Sequence, residues 1–319
     1  MPDLTKPPAL KPGDRVGIVA PASNIDGAHL QAGVAALVRM GYEPVYDPGI
    51  LDRDLYFAGT LERRAREFHT MFERDDIRAV LCARGGYGAN YLLPEVDIDL
   101  VRRHPKIFVG YSDVSCLLMY LHDATGMVPF HGPMVAKDFA EPGGVDEASW
   151  RSAVGGDARW SIAPHESFGP ILEGEAEGVL YGGCLSILVA SLGTPFEART
   201  EGKLLFVEDV NAKPYQVDRM LMQMKMAGKF EGVRGIIFGE MLNCAQSADQ
   251  PYTLQEVIAR VVGDLKVPIA YGLRSGHVSS QNITLPIGVR ARLTVARKAR
   301  LEIMESAVLS KPRASSIVE

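Results

Sequence analysis

The chain has 319 residues, 47% of them hydrophobic and 23% charged, with 34 basic and 39 acidic side chains and a formal net charge of −5. At roughly 100–200 residues per domain this length predicts two domains or one large one, and the composition excludes a disordered or collagen-like chain. The slight acidity offers no basic field for a phosphate backbone, against nucleic acid as a partner; apolar runs such as Gly235–Gly239 and Lys203–Val207 fall far short of the ~20 residues that span a bilayer, against a membrane.

The opening MPDLTKPPALKPGDR has no apolar core, so no secretory signal is expected. Arg15–Ala20 then reads as a buried strand closed by Pro21, followed by a helical pattern through Leu30, Val34, Leu37 and Val38 that stops at Gly41. Glu43–Tyr46 is a short strand. Thr60 is placed to cap a helix carrying Leu61, Ala65, Phe68 and Phe72. Next come the strand Ala79–Ala83, a glycine loop, the strand Ile107–Gly110 and a helix from about Asp113 to Ala124. Strands alternating with helices predict a doubly wound parallel sheet over residues 1–138.

Residues 139–173 turn to glycine, proline and scattered charge, which predicts a linker with room for one short helix. Residues 174–319 read as a second α/β domain. It has strands at Ala176–Tyr181, Lys203–Val207, Gly235–Phe238 and Ile283–Leu285, a helix from about Leu185 to Leu192, and a closing hairpin of Arg290–Thr294 with Arg300–Ile303. In Pro214–Ala227, Val217, Met220, Leu221 and Met224 follow i, i+3, i+4, i+7, so this is a helix. Cys82, Cys116, Cys184 and Cys244 form no CxxC pair and have no histidine at ligand spacing, so free thiols in a reducing cytosol are expected rather than disulfides or zinc.

Four places carry chemistry. In Gly110-Tyr111-Ser112-Asp113 an apolar strand runs through a serine straight into a helix, the context of a nucleophile elbow, with the Asp113 N–H placed to stabilise an oxyanion. Val114 stands where the second glycine of G-x-S-x-G belongs, and a serine here also suits a helix N-cap; both readings stay open. Arg84-Gly85-Gly86-Tyr87-Gly88 follows a strand end and lets backbone approach a ligand, or is a tight turn. It is neither G-x-G-x-x-G nor a phosphate loop. Glu208-Asp209 closes a strand where α/β sheets bind ligands, or is solvated loop. His277 sits in a glycine-flanked loop and is freer to act than His29 and His69 on helices, His104 and His165 in polar text, His122 near a helix end, or His131 after an apolar run. Together these supply a nucleophile, a base, an acid to orient it and oxyanion donors, in the order Ser112…Glu208…His277. With the serine in one domain and its partners in the other, the site is predicted in the cleft between them.

These segments resemble the LD-carboxypeptidases, serine peptidases that include murein tetrapeptide carboxypeptidases and microcin C self-immunity proteins. The resemblance runs over nearly the whole chain: LKPGDRVGIVAPAS, ARGGYG, LLPEVD, GYSDVSCL, HGPM, GG-x-LS-x-L, LGTPFE, FVEDV with PYQVDRMLMQM, GHV and TLPIG. It implies a flavodoxin-like doubly wound N-terminal domain with a smaller α/β C-terminal domain, and no metal or organic cofactor. It also implies a cytoplasmic homodimer acting on a muropeptide or small peptide in peptidoglycan recycling. Residue by residue, Ser112 matches the nucleophile, Glu208 the orienting acid and His277 the base, with oxyanion donors on Asp113 and Gly86. Arg84, Gly85, Tyr111 and Cys184 are expected at the substrate. Cys184 replaces the family's usual asparagine, and Val210-Asn211-Ala212-Lys213 lacks a glutamate common there. ARGGYG resembles the murein branch more than the immunity branch; the alternatives are an amidase for aminoacyl-nucleotide conjugates and a non-catalytic muropeptide-binding protein.

Overall fold

A computed structural model describes residues 3–162 and 165–309. In the first half, strands β1 (Arg15–Val19), β2 (Glu43–Tyr46), β3 (Ile77–Cys82), β4 (Ile107–Gly110) and β5 (Phe130–His131) alternate with helices α1 (Gly27–Arg39), α2 (Leu61–Glu73), α3 (Ile98–Arg103) and α4 (Ser115–Thr125). β3 and β4 have almost no exposed residue, as expected of parallel strands covered on both faces. The Thr60 hydroxyl accepts from the Arg63 N–H, which caps α2 as its sequence predicts.

The predicted linker is more structured than its composition suggests. It contains helix α5 (Glu147–Gly155) and two strands, β6 (Trp160–Ile162) and β7 (Gly169–Leu172). The remainder is β8 (Gly174–Cys184), α6 (Leu185–Ala190), β9 (Lys203–Glu208), α7 (Pro214–Met226), β10 (Gly235–Gly239), α8 (Leu254–Val262), β11 (Ile269–Leu273), β12 (Leu285–Pro286), β13 (Arg290–Val295) and β14 (Ala299–Ile303). α7 buries Val217, Leu221 and Met224 along the predicted face. None of the described helices is long and apolar enough to cross a membrane.

The strands form two sheets. The first has the order β12-β5-β4-β3-β1-β2, so strands β1 to β5 follow the 2-1-3-4-5 order of a flavodoxin-like sheet. The second has eight strands, β6-β14-β13-β8-β9-β10-β11-β7, with a parallel centre from β8 to β11 and antiparallel edges; it has more strands than the first. β12 leaves the second half to pair antiparallel with β5, Leu285 against His131, so the segment around Ile283–Leu285 joins the first sheet. One continuous apolar cluster contains Leu117 from the first half and Tyr181, Leu205 and Phe238 from the second. Polar stitches cross the same boundary: the Cys184 N–H donates to Ser115 Oγ at 3.0 Å, and the Tyr181 hydroxyl to Asp123 at 2.7 Å. The carboxyl ends of β3, β4, β5 and β9 are thereby held in fixed register around one space.

Candidate active site

That space is a cavity of 660 Å³ whose walls include Arg84, Gly85, Gly86, Tyr111, Ser112 and His277. Six of the sequence-predicted residues, drawn from both halves, therefore meet there. Sequence reasoning did not select Asp26, His29, Lys137 and Glu141, which also line it. Asp26 caps α1 and His29 lies in its first turn, a helix-start pattern, whereas Lys137 and Glu141 come from the segment after β5, with Glu141 inside the predicted linker. The wall thus carries cations and anions together, suited to a ligand with both an ammonium and a carboxylate.

Ser112 stands one residue beyond β4, after Tyr111, with φ of +62°, a left-handed backbone that costs a non-glycine residue about 1–2 kcal/mol. It begins a short 3₁₀ turn, Ser112–Val114, that runs into α4. The helix-cap alternative is not what the structure contains: α4 has Val114 at its N-cap position, and no side chain caps either element. The strained turn lifts the serine to the cavity wall instead. Gly110 makes room for Val114, since a Cβ there would lie 2.8 Å from Val114 Cγ1, and Gly85 makes room for the serine. A Cβ on Gly85 would lie 2.8 Å from Ser112 Cβ and 3.1 Å from its Oγ, so the close approach usually given by an elbow glycine comes from the neighbouring loop.

Asp113 does more than its backbone suggests. Its buried carboxylate accepts the Ala89 N–H at 2.7 Å and so ties the end of the glycine loop to the elbow. Burial pushes its pKa up to about 6, against the pull of that N–H and of nearby Arg64. Arg84 is steadied by donating to the Asn24 carbonyl at 3.1 Å. Tyr111, 2% exposed, points its hydroxyl at Asp138 (3.4 Å) and packs its ring edge-on against His277, centroids 5.1 Å apart.

Glu208, at the end of β9, is fully buried. Its Oε2 accepts from the backbone N–H of His277 at 3.0 Å and bonds Nδ1 of the same residue at 2.7 Å. Two donors on one oxygen fix both the loop and the ring, and leave Nε2 as the uncommitted ring nitrogen. Gly276 makes this possible: its φ is +92°, and a Cβ there would lie 2.6 Å from the Glu208 carboxyl carbon. Burial alone would raise the Glu208 pKa, but His277 and His131 reverse this and bring it down to about 2. Burial works against a charged His277, yet the Glu208 carboxylate outweighs it and holds the imidazole pKa above its ordinary value. Ser112 and His277 share the cavity without a hydrogen bond between them.

Cys184, expected at the substrate, lies behind this pair rather than on the cavity wall; it is 3% exposed, with Sγ 3.3 Å from Ser186 Oγ. Among the described residues Cys184, Glu208 and His277 bring possible metal-donor atoms within 4.8 Å of one another. The set fits a metal poorly: Glu208 Oε2 and His277 Nδ1 are bonded to each other, and burial pushes the Cys184 thiol well above its usual pKa, whereas a metal takes the thiolate.

Comparison with known proteins places these features in context. Residues 16–132 match the profile of the LD-carboxypeptidase N-terminal domain, and residues 177–293 that of the LD-carboxypeptidase C-terminal domain. The chain is 38% identical over 303 residues to a probable murein peptide carboxypeptidase of Bacillus subtilis, covering 92% of each. It is 28% identical over 320 residues to the microcin C7 self-immunity protein of Escherichia coli, covering 90% of this chain and 92% of that one. The crystal structure of muramoyltetrapeptide carboxypeptidase from Oxalobacter formigenes superposes with a TM-score of 0.80 at 28% identity, over 92% of this chain and 99% of that one.

Proposed function

The chain belongs to the LD-carboxypeptidase family, and from that premise we propose that it is a serine peptidase that removes the terminal D-alanine from murein tetrapeptides. The observation that carries this reading is the Glu208–His277 hydrogen bond. It fixes the inner ring nitrogen and leaves Nε2 to serve the cavity that Ser112 lines. In the proposed reaction, His277 Nε2 takes the proton from Ser112 as Oγ attacks the carbonyl between an L-centre diamino acid and D-alanine. Glu208 keeps the ring in the Nδ1–H tautomer and stabilises the imidazolium. The oxyanion rests on the backbone N–H groups of Asp113 and Gly86. The imidazolium then protonates the departing amine of D-alanine. Water, activated by the same histidine, hydrolyses the acyl-serine and restores the free hydroxyl. Arg84 and Lys137 supply the positive charge for the substrate's carboxylates, with Gly85 and Tyr111 shaping the wall between them and Ser112.

The test is D-alanine release from a tetrapeptide ending in a diamino acid–D-alanine bond, by the native protein and by Ser112→Ala. Release by the native protein alone, at equal melting temperature, supports the peptidase. Cleavage of an aminoacyl-nucleotide conjugate in its place would move the function to the immunity-type amidase. Recovery of bound, intact tetrapeptide after long incubation would make the protein a binder.

A further inference from the structure

The Glu208 carboxylate has two oxygens, and the pairing with His277 uses one. Oε1 is buried and lacks a hydrogen-bond partner. Facing it at 3.8 Å is Nε2 of His131, a second fully buried nitrogen without a partner. A buried polar atom left unpaired costs about 1–3 kcal/mol, so two complementary ones this close, and both orphaned, need an explanation.

The chemistry of the neighbours fixes how they are related. His131 Nδ1 lies 2.9 Å from Ser275 Oγ. An imidazole nitrogen cannot present a lone pair to a carboxylate without repulsion, so Nε2 carries the proton and Nδ1 accepts the Ser275 hydroxyl proton. Ser275 sits in the same loop as His277, two residues before it. His131 is at the end of β5, on the sheet that also carries Ser112, with its ring packed against Phe206 of β9 at a centroid distance of 5.1 Å. One imidazole thus reaches from the serine-bearing sheet to both the strand that carries the acid and the loop that carries the base.

We propose that His131 is a positioning residue: its Nε2–H closes onto Glu208 Oε1 while His277 is neutral and the carboxylate charge is least satisfied, forming a relay Ser275–His131–Glu208–His277 that aligns the acid from behind before the proton moves. The role deepens the peptidase reading and rests on it. The closure needs a movement of under about 1 Å, from 3.8 Å to a normal N–H···O separation near 2.9 Å. It orders Glu208 from the half of the molecule that supplies the serine, so the two halves of the site come into register as one.

The test compares His131→Phe, which keeps a ring but loses the donor, with His131→Gln, which keeps an N–H donor. The first readout is independent of turnover: the titration of His277 followed by NMR of ¹⁵N-labelled histidine. Without the second donor Glu208 becomes the stronger acceptor for His277, so His131→Phe shifts the titration of His277 to higher pH, while His131→Gln stays near the native curve. Other ionisable groups face this region. Tyr111 and Cys184 have pKa values raised well above their ordinary ones by burial, and Asp209 is also raised; burial puts Asp138, beyond the Tyr111 hydroxyl, at about 6. Asp138 is a second titrating group near His277, which is why the signal is read on the His277 ring and repeated in Asp138→Asn. The second readout is kinetic: His131→Phe lowers kcat about tenfold with KM within about twofold, moves the acid limb upward, and is rescued by His131→Gln. If both folded variants titrate and turn over like the native protein, or lose activity equally with no shift of His277, His131 is packing and the proposal fails. Absence of peptidase activity in the native protein, with the His277 shift intact, would instead overturn the peptidase reading and leave the relay standing.

Discussion

The two halves of the site are built by different physics. On the first sheet, the Ser112 ledge is a matter of backbone: a left-handed φ, a glycine pressed against the serine, and a hydroxyl without a capping bond. On the second, the Glu208–His277 pair is a matter of electrostatics, with a fully buried carboxylate, two N–H donors on one oxygen and an imidazole held toward its charged form. One side holds strain and the other a buried acid whose Oε2 is doubly hydrogen-bonded while Oε1 has no hydrogen-bond partner. The contrast shows where each is vulnerable: the ledge to changes of shape, the pair to changes of charge.

The largest effect separates strain from chemistry at one residue. Ser112→Gly removes the proposed nucleophile and should lower kcat roughly 10⁶-fold. Because glycine adopts φ of +62° freely, the same change should raise stability by about 1 kcal/mol in denaturant unfolding. An inactive but less stable variant would mean that the ledge is not strained. On the other side, Glu208→Gln keeps the size but alters the hydrogen bonding that fixes the ring. It should cost about 10⁴-fold in kcat with KM nearly unchanged, measured by D-alanine release.

Shape alone is tested by Gly85→Ala. Its methyl would sit 2.8 Å from Ser112 Cβ, so the serine must move, and a displacement of this kind costs about 10²-fold in turnover while the protein stays folded. Charge alone is tested by pH. His277, the proposed base, must be neutral to act, and Glu208 holds its pKa above that of an ordinary imidazole. The kcat/KM profile should therefore fall about tenfold per pH unit below an inflection lying above 6.5. A flat profile from about pH 5 to 8 would remove His277 as the base.

Much of this was legible in the sequence because the signals are local. A strand running through serine into a helix, glycines after a strand, an acid closing a strand and a histidine between glycines each announce themselves within a few residues, as do the cap of α2 and the apolar face of α7. What escaped depends on contacts distant in sequence. β12 crosses to the first sheet, and β6 and β7 arise inside a stretch of linker composition, because their partners lie far along the chain. His131 reads as one histidine after an apolar run until β5 and β9 bring it to Glu208. Cys184 follows the pattern of a wall residue, yet α6 turns it inward. Helix α8 is a different case. It opens on a capping box, Thr253 with Glu256, a signal as local as the cap of α2.

The central claim is that ledge and pair act as one catalytic unit, and a double-mutant cycle on kcat tests it most directly. Ser112→Ala, Glu208→Gln and the combined variant are compared on the same tetrapeptide, with melting temperatures as a check on folding. Residues that act together are grossly non-additive, so the combined variant should be about as slow as Ser112→Ala alone. A further loss of about 10⁴-fold in the combined variant would show that Glu208 works independently of the serine, and would contradict the account.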